Sequence, residues 1–330
     1  MKNIFEKRDY HFNFLKYRKW GYAFALLLLV LSFASFAVRG LNYGIDFKGG
    51  VLVELQSEQA IDIAKVRSDL SYLKDLSIQS IGTEGNNLLI QTLGSDEATN
   101  GNQVVNQIKE TLGSDYNYTR VEVIGPRIGD ELKNKSFWAS VLALLAIAIY
   151  IWFRFEWPFA IGCILSLANN LIATVGLFSI LGLDFDMIVV AGLLSLAGYA
   201  CNDTVVTYDR IRECLKKYKK LSTDEILNMG INQTLSRTIL TGLTTLMVAL
   251  ILLFFGGETL YGFSVAMAFG IVYGTYSSIF VAVPILRYFN IRNLGDKGAV
   301  GPYAEAAKYE MEAKKAPLPP YSKCGGHCPR

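Results

Sequence analysis

Histidine is scarce in this chain of 330 residues: only His11 and His327 occur, one near each end. No constellation of nucleophile, histidine and acid can be assembled from them, and no phosphate-binding loop of the Walker type is present, so an enzyme reading has little support. Charge is sparse too, at 18% of residues against 52% hydrophobic, with a positive mean hydropathy. That balance excludes an ordinary soluble domain and points to a membrane protein. The net charge of +3 is too small to suggest a nucleic-acid binder.

The missing charge is concentrated in six stretches, about 21–38, 137–153, 158–182, 187–207, 238–255 and 263–289. Crossing a hydrocarbon core of about 30 Å takes roughly 20 helical residues. Orientation follows from lysine and arginine near the span ends. Lys2, Lys7, Arg8, Lys16, Arg18 and Lys19 precede the first stretch; Arg210, Arg212, Lys216, Lys217, Lys219 and Lys220 follow the fourth; Arg287 and Arg292 follow the sixth. The connections after the third and fifth stretches carry Asp184, Asp186 and Glu258 and no lysine or arginine. Both termini are therefore expected in the cytoplasm, with 1–20 as a flank, about 208–237 as a cytoplasmic loop and 290–330 as a tail. The long polar segment 39–136 lies on the far side. A cleavable signal peptide is disfavoured for the first stretch, whose apolar run and basic flank are both longer than usual, so a retained anchor is expected.

Cysteine is absent from that polar segment; all five, Cys163, Cys201, Cys214, Cys324 and Cys328, lie elsewhere, so no disulfide is expected. In the tail, Cys324, His327 and Cys328 lack a fourth ligand for zinc, and "KAPLPPY" before them reads as disordered. No metal or cofactor is expected.

Within the polar segment, Val51, Val53 and Leu55 alternate as in a strand, and Ile63, Val66, Leu70 and Leu73 fall at helical spacing. "SIQSIGT" and "NNLLIQTL" flank the turn signal "EGNN", "NQVVNQIKETLG" reads as a helix capped by Gly113, and "YNYTRVEVIGP" closes with a strand. The order β-α-β-β-α-β is the ferredoxin-like arrangement. The expected fold is thus a polytopic α-helical membrane protein with six transmembrane helices and one exported α+β domain between helices 1 and 2. Nothing in that domain supplies a catalytic site; a binding or mechanical role fits better.

Asp203 is the residue least at home in its surroundings. At 1.5 Å per residue it lies about 24 Å beyond the start of the fourth stretch, inside the cytoplasmic half of the core, where insertion costs about 2.5–3.5 kcal/mol. Arg237 at the start of the fifth stretch is its expected partner, with Thr241 and Thr244 below it on the same helical face. Burial disfavours the charged carboxylate and a nearby guanidinium favours it, so the pair is expected to poise Asp203 for proton exchange, with Arg237 charged throughout. Ala266, Gly270 and Gly274, followed by Ser277 and Ser278, and on the fourth span Ala191, Ser195, Gly198 and Asn202, make small faces suited to close helix contacts. "STDE" is a plausible capping start before Ile226.

In order along the chain, "GIDFKGG" (44–50), "GPRIGDEL" (125–132), "GYACNDTVVTYDRIRE" (198–213), "NQTLSRTILTGLTTL" (232–246) and "GTYSSIF" (274–280) resemble the SecF family. These are the smaller subunits of bacterial SecD/SecF protein-export complexes, within the resistance-nodulation-division group of proton-driven membrane proteins. The resemblance covers about 43–289. It implies a multi-pass protein of the bacterial inner membrane with a periplasmic domain at 39–136, acting with SecD to draw on the proton gradient during polypeptide export. Asp203 would be the proton-responsive acid, Arg237 its charged partner and Asn202 its polar neighbour, while Asp46, Gly49 and Gly50 match the signature at the start of the exported domain. The implied partners are SecD as an obligate second half, the SecYEG channel, a YajC-type accessory subunit, the translocating polypeptide and membrane lipids. Two rival expectations stand beside this one: a passive scaffold of the same complex with a structural Asp203–Arg237 ion pair, and a free-standing proton-driven lipid or drug exporter. Because the fourth span joins no exported segment directly, motion is expected to travel through packed spans to the first and second.

Overall fold

The chain, seen in a computed structural model, is described over residues 12–57, 61–73, 76–81, 85–93, 101–113 and 116–294. In chain order the elements begin with α1 (Arg18–Val38), β1 (Asn42–Tyr43), the single turn α2 (Ile45–Lys48), β2 (Gly50–Gln56), α3 (Ile63–Asp69), β3 (Ser77–Ile81) and β4 (Asn87–Leu93). They continue with α4 (Gly101–Leu112), β5 (Asn117–Ile124), α5 (Pro126–Arg154), α6 (Trp157–Leu181), β6 (Asp184–Phe185), α7 (Met187–Lys217), α8 (Thr223–Phe255) and α9 (Gly257–Ser277). Helix α9 runs on through a π-helical turn at Ser278–Ala282 into the short α10 (Val283–Ile285). The tail cysteines, His327 and His11 lie outside the described residues.

Among the described residues, six helices are long and apolar enough to cross a membrane. Hydrocarbon offers the backbone no hydrogen bonds, so each crossing segment must satisfy its own N–H and C=O groups as a helix. The ends carry local signals. Pro158 sits in the first turn of α6, where its missing N–H costs nothing, and Gly182 closes that helix in the left-handed conformation at φ +66°. Ser222 and Glu225 form a reciprocal capping box at the start of α8. Helices α7 and α8 extend well past the apolar stretches on the basic side, so residues 218–222 alone connect them.

The segment between α1 and α5 folds around a four-stranded antiparallel sheet in the order β3-β4-β2-β5. Numbered within the domain this is second, third, first, fourth, the ferredoxin-like order. Val51, Val53 and Leu55 of β2 point with Leu88 and Ile90 of β4 into a core closed by Val66 and Leu70 beside α3 and by Val105, Ile108 and Leu112 on α4. Gly113 ends α4 at φ +79°. A separate two-stranded parallel pair, β1 with β6, ties the start of this segment to the turn between α6 and α7.

Candidate functional site

Asp203 lies on α7, about 24 Å from its first residue, and is buried at 8% exposure. Its neighbour is on α9. Ser278 Oγ donates to Asp203 Oδ2 at 2.6 Å, and the same oxygen lies 3.1 Å from the Thr275 carbonyl. A hydroxyl carries one proton, so Ser278 has two acceptors competing for one donor. Ser278 is also the first residue of the π-helical turn, a distortion that recurs at functional sites.

The close approach of α9 depends on its small residues. A Cβ on Gly270 would stand 2.1 Å from Leu196 Cδ2, and one on Gly274 would stand 2.8 Å from Asn170 Nδ2. Through this contact α6, α7 and α9 share a polar seam. Ser166 and Ser277 hydroxyls meet at 2.8 Å, Asn169 Nδ2 donates to Tyr273 OH at 2.8 Å, and Asn170 Nδ2 donates to the Gly270 carbonyl at 3.2 Å. The side-chain oxygens of Asn169 and Asn170 are buried without a partner among the described residues. Such unpaired acceptors are where buried water binds.

Asp203 and Arg237 do not pair. Arg237 is exposed on α8 and makes no ion pair among the described residues. The hydroxyl stripe beneath it is occupied locally: Thr241 Oγ1 donates to the Arg237 carbonyl at 2.9 Å, and Thr244 Oγ1 to the Thr241 carbonyl at 3.0 Å. Asn202 is exposed one residue away from the buried Asp203, because successive helical residues point about 100° apart. Ala191, Ser195, Gly198 and Asn202 make one outward face on α7, and a Cβ on Gly198 would meet nothing within 4 Å. Tyr199 lies between the two regions, in the field of Asp203 and beside Thr241 and Thr245.

The signature residues near Gly44 form a second site. Asp46 Oδ2 accepts the backbone N–H of Met187, the first residue of α7, at 3.0 Å. Asp186 Oδ1 accepts the Val189 N–H at 2.7 Å, so two carboxylates cap one helix start. Asp184 takes Asn42 Nδ2 at 2.5 Å and Gln91 Nε2 at 3.0 Å, and Gly44 N–H donates to the Phe185 carbonyl at 3.0 Å. Gly49 holds φ +74° and ψ 148°, a region essentially reserved for glycine. Gly50 opens β2 between Leu93 and Ile124. A Cβ on Gly129 would lie 3.0 Å from the Gly49 nitrogen, so the second motif packs on the first. Burial pushes the Asp186 carboxyl up to about 6, against the pull of the Val189 N–H and with the charges of Asp46 and Asp184 adding to the rise. The sheet-containing domain thus touches the fourth span directly, contrary to the expectation of a path only through packed spans.

Two family profiles match this arrangement: "Protein export membrane protein SecD/SecF, C-terminal" over residues 104–292, and "SecD/SecF GG Motif" over residues 34–61. The chain belongs to the SecD/SecF family. Among its relatives, the protein translocase subunit SecF of Rickettsia felis is 41% identical over 292 residues, covering 87% of this chain and 94% of that protein. The SecF subunit of Desulfurispirillum indicum is 41% identical over 294 residues, covering 86% and 94%. Of solved structures, SecDF of Thermus thermophilus, described as a translocon-associated membrane protein, is similar at TM-score 0.75 and 35% identity over 85% of this chain. A SecDF structure in a super-membrane-facing form is similar at TM-score 0.64 and 31% identity over 96% of this chain. The chain spans 39% and 42% of the length of those two SecDF chains.

Proposed function

We propose that this chain pairs with a SecD half and uses the proton gradient to promote export of polypeptides across the bacterial inner membrane. One observation carries the reading: a carboxylate is kept among spanning helices with the Ser278 hydroxyl on its oxygen and, among the described residues, no ion pair. A charge in that setting is tolerated only while its neighbours compensate it. Uptake or release of a proton by Asp203 therefore changes which packing of α7 against α9 is preferred, and the Ser278 proton turns between Asp203 and the Thr275 carbonyl as it does so.

Helix α7 is the lever. Asp203 lies toward one end, and Asp46 of the exported domain caps the other, so displacement of α7 reaches that domain through the Met187 N–H and the β1–β6 pair. The outward faces of α7 and α8, with Asn202, Gly198, Arg237 and Thr241, are where the SecD half docks: small residues allow close helix approach, and an arginine there calls for a polar neighbour. Both termini and the α7–α8 turn lie in the cytoplasm and 39–136 in the periplasm. SecYEG, a YajC-type subunit, the moving polypeptide and membrane lipids are the remaining partners, and the subunit has no catalytic role of its own. The scaffold alternative rests on a fixed Asp203–Arg237 pair, which these helices do not form.

The test is Asp203→Asn in the SecD-containing complex, scored by co-purification and by gradient-dependent export into membrane vesicles. Export is expected to fall to the gradient-independent level with normal assembly. Unchanged export, or a loss that merely follows failed assembly, contradicts the proposal.

A further inference from the structure

A cavity of about 530 Å³ opens between α5, α6 and α7, at the end of the bundle next to the sheet domain. Its walls at membrane depth are apolar, with Leu144, Leu171, Val175 and Leu193 among them. Its mouth is not: Asp130 and Lys133 of α5 stand there with opposite charges, and Lys133 Nζ is held 4.6 Å above the ring of Tyr43. Between mouth and wall lies Ser136, 7% exposed, whose hydroxyl is buried and has no partner among the described residues. A buried hydroxyl left unpaired in a native fold calls for a ligand group.

Depth identifies that group. Ser136 immediately precedes the apolar run of α5, so it sits at the boundary between headgroups and hydrocarbon, where the ester carbonyls of a phospholipid lie. Neighbouring helices keep their backbone carbonyls within their own ladders, whereas a lipid ester is free to accept. We propose that this cavity binds one membrane phospholipid of the exported leaflet: an acyl chain fills the apolar chamber, an ester carbonyl accepts from Ser136, and a zwitterionic headgroup sets its phosphate on Lys133 and its ammonium on Asp130. The volume falls within the roughly 300–1,000 Å³ of small-molecule sites. Phe47 and Phe185, from the α2 turn and β6, also line the cavity, so an occupying chain steadies the contact between the exported domain and α7. This inference is independent of the role given to Asp203.

The experiment uses the full chain co-purified with its partner subunit, stripped of lipid and titrated with phosphatidylethanolamine, with retained lipid read by native mass spectrometry. A phosphatidylethanolamine carrying a photoreactive acyl tip maps the site by peptide. Wild type is expected to hold one lipid more tightly than Val175→Trp, which fills the chamber. Ser136→Ala and Lys133→Gln should each weaken retention about five- to tenfold, as the loss of one hydrogen bond implies. Phosphatidylglycerol should bind more weakly than phosphatidylethanolamine, since Asp130 opposes its net charge. Equal retention by Val175→Trp with unchanged helical content overturns the proposal, as does a photoreactive lipid that never labels α5 or α6. Should Val175→Trp not fold, Ser136→Ala and the labelling decide by themselves: unaltered affinity together with no label contradicts the site.

Discussion

Replacing Ser278 by alanine removes the hydroxyl that holds Asp203 Oδ2 at 2.6 Å and leaves the helix backbone as it is. What the bond is worth depends on the charge of its acceptor. A hydrogen bond to an ionised group contributes about 1.5–3 kcal/mol, whereas neutral side-chain bonds between membrane helices average about 0.6 kcal/mol. Asp203→Asn keeps the shape and removes the charge. A double-mutant cycle of Ser278→Ala with Asp203→Asn therefore isolates the charged part of the contact, expected at about 1–2 kcal/mol from the difference of those values. Unfolding of the purified chain in mixed micelles, followed by helical circular dichroism, provides the four free energies. Ser278 is 2% exposed, so the truncation also leaves a small void, but this appears in both backgrounds and cancels in the cycle. Additivity within about 0.3–0.5 kcal/mol would mean that hydroxyl and carboxylate do not sense one another.

Gly49→Ala forces a side chain into φ +74° and ψ 148° and should destabilise the junction by about 1–3 kcal/mol, seen as faster amide exchange in β2 and at Met187. Asp186→Asn keeps a capping side chain while removing a carboxyl whose value is raised from 3.8 to about 6. A raised acid contributes stability that is complete below the unfolded value and lost as pH rises through the folded one. The variant should therefore be the more stable by about 1–2 kcal/mol at pH 7.5, after discounting for partial exposure, and should show no advantage below pH 4, measured as melting temperature against pH. Gly270→Ala places a Cβ 2.1 Å from Leu196 Cδ2 and should cost about 1–3 kcal/mol by overpacking, measured by the same unfolding titration. Arg237→Gln should leave the isolated chain within about 0.5 kcal/mol of wild type, as for a surface site, yet reduce co-purification with the SecD half.

Much of the architecture is legible in the chain because membrane helices and half-buried strands each write a strong period. The charge-free runs mark the six spans, and the alternation at Val51, Val53 and Leu55 marks the strand that sits second from one edge of the sheet. The β1–β6 pair is not legible. Two-residue strands carry no period, and Asp46 meets Met187 across 141 residues of chain. The same limit misdirected the partner of Asp203. Opposite charge pointed to Arg237, but charge does not set the rotation of one helix against another; packing does, and it turns Arg237 outward. The true neighbour lay in a visible series, since Ala266, Gly270, Gly274 and Ser278 recur every four residues on the face of α9 that packs inward. Asn169 and Asn170, two amides in the middle of an apolar span, were the other available signal, because polar groups at that depth are retained for a partner or for water.

Under the proposed function, the charge of Asp203 changes while the helices remain assembled in the membrane. Infrared difference spectroscopy on the SecD-containing complex, with aspartate carbon-labelled and Asp203→Asn as control, observes that group directly. A protonated carboxyl band is expected to appear and disappear between protonating and deprotonating conditions and to be missing from the variant. A difference spectrum identical in wild type and Asp203→Asn would contradict the proposal.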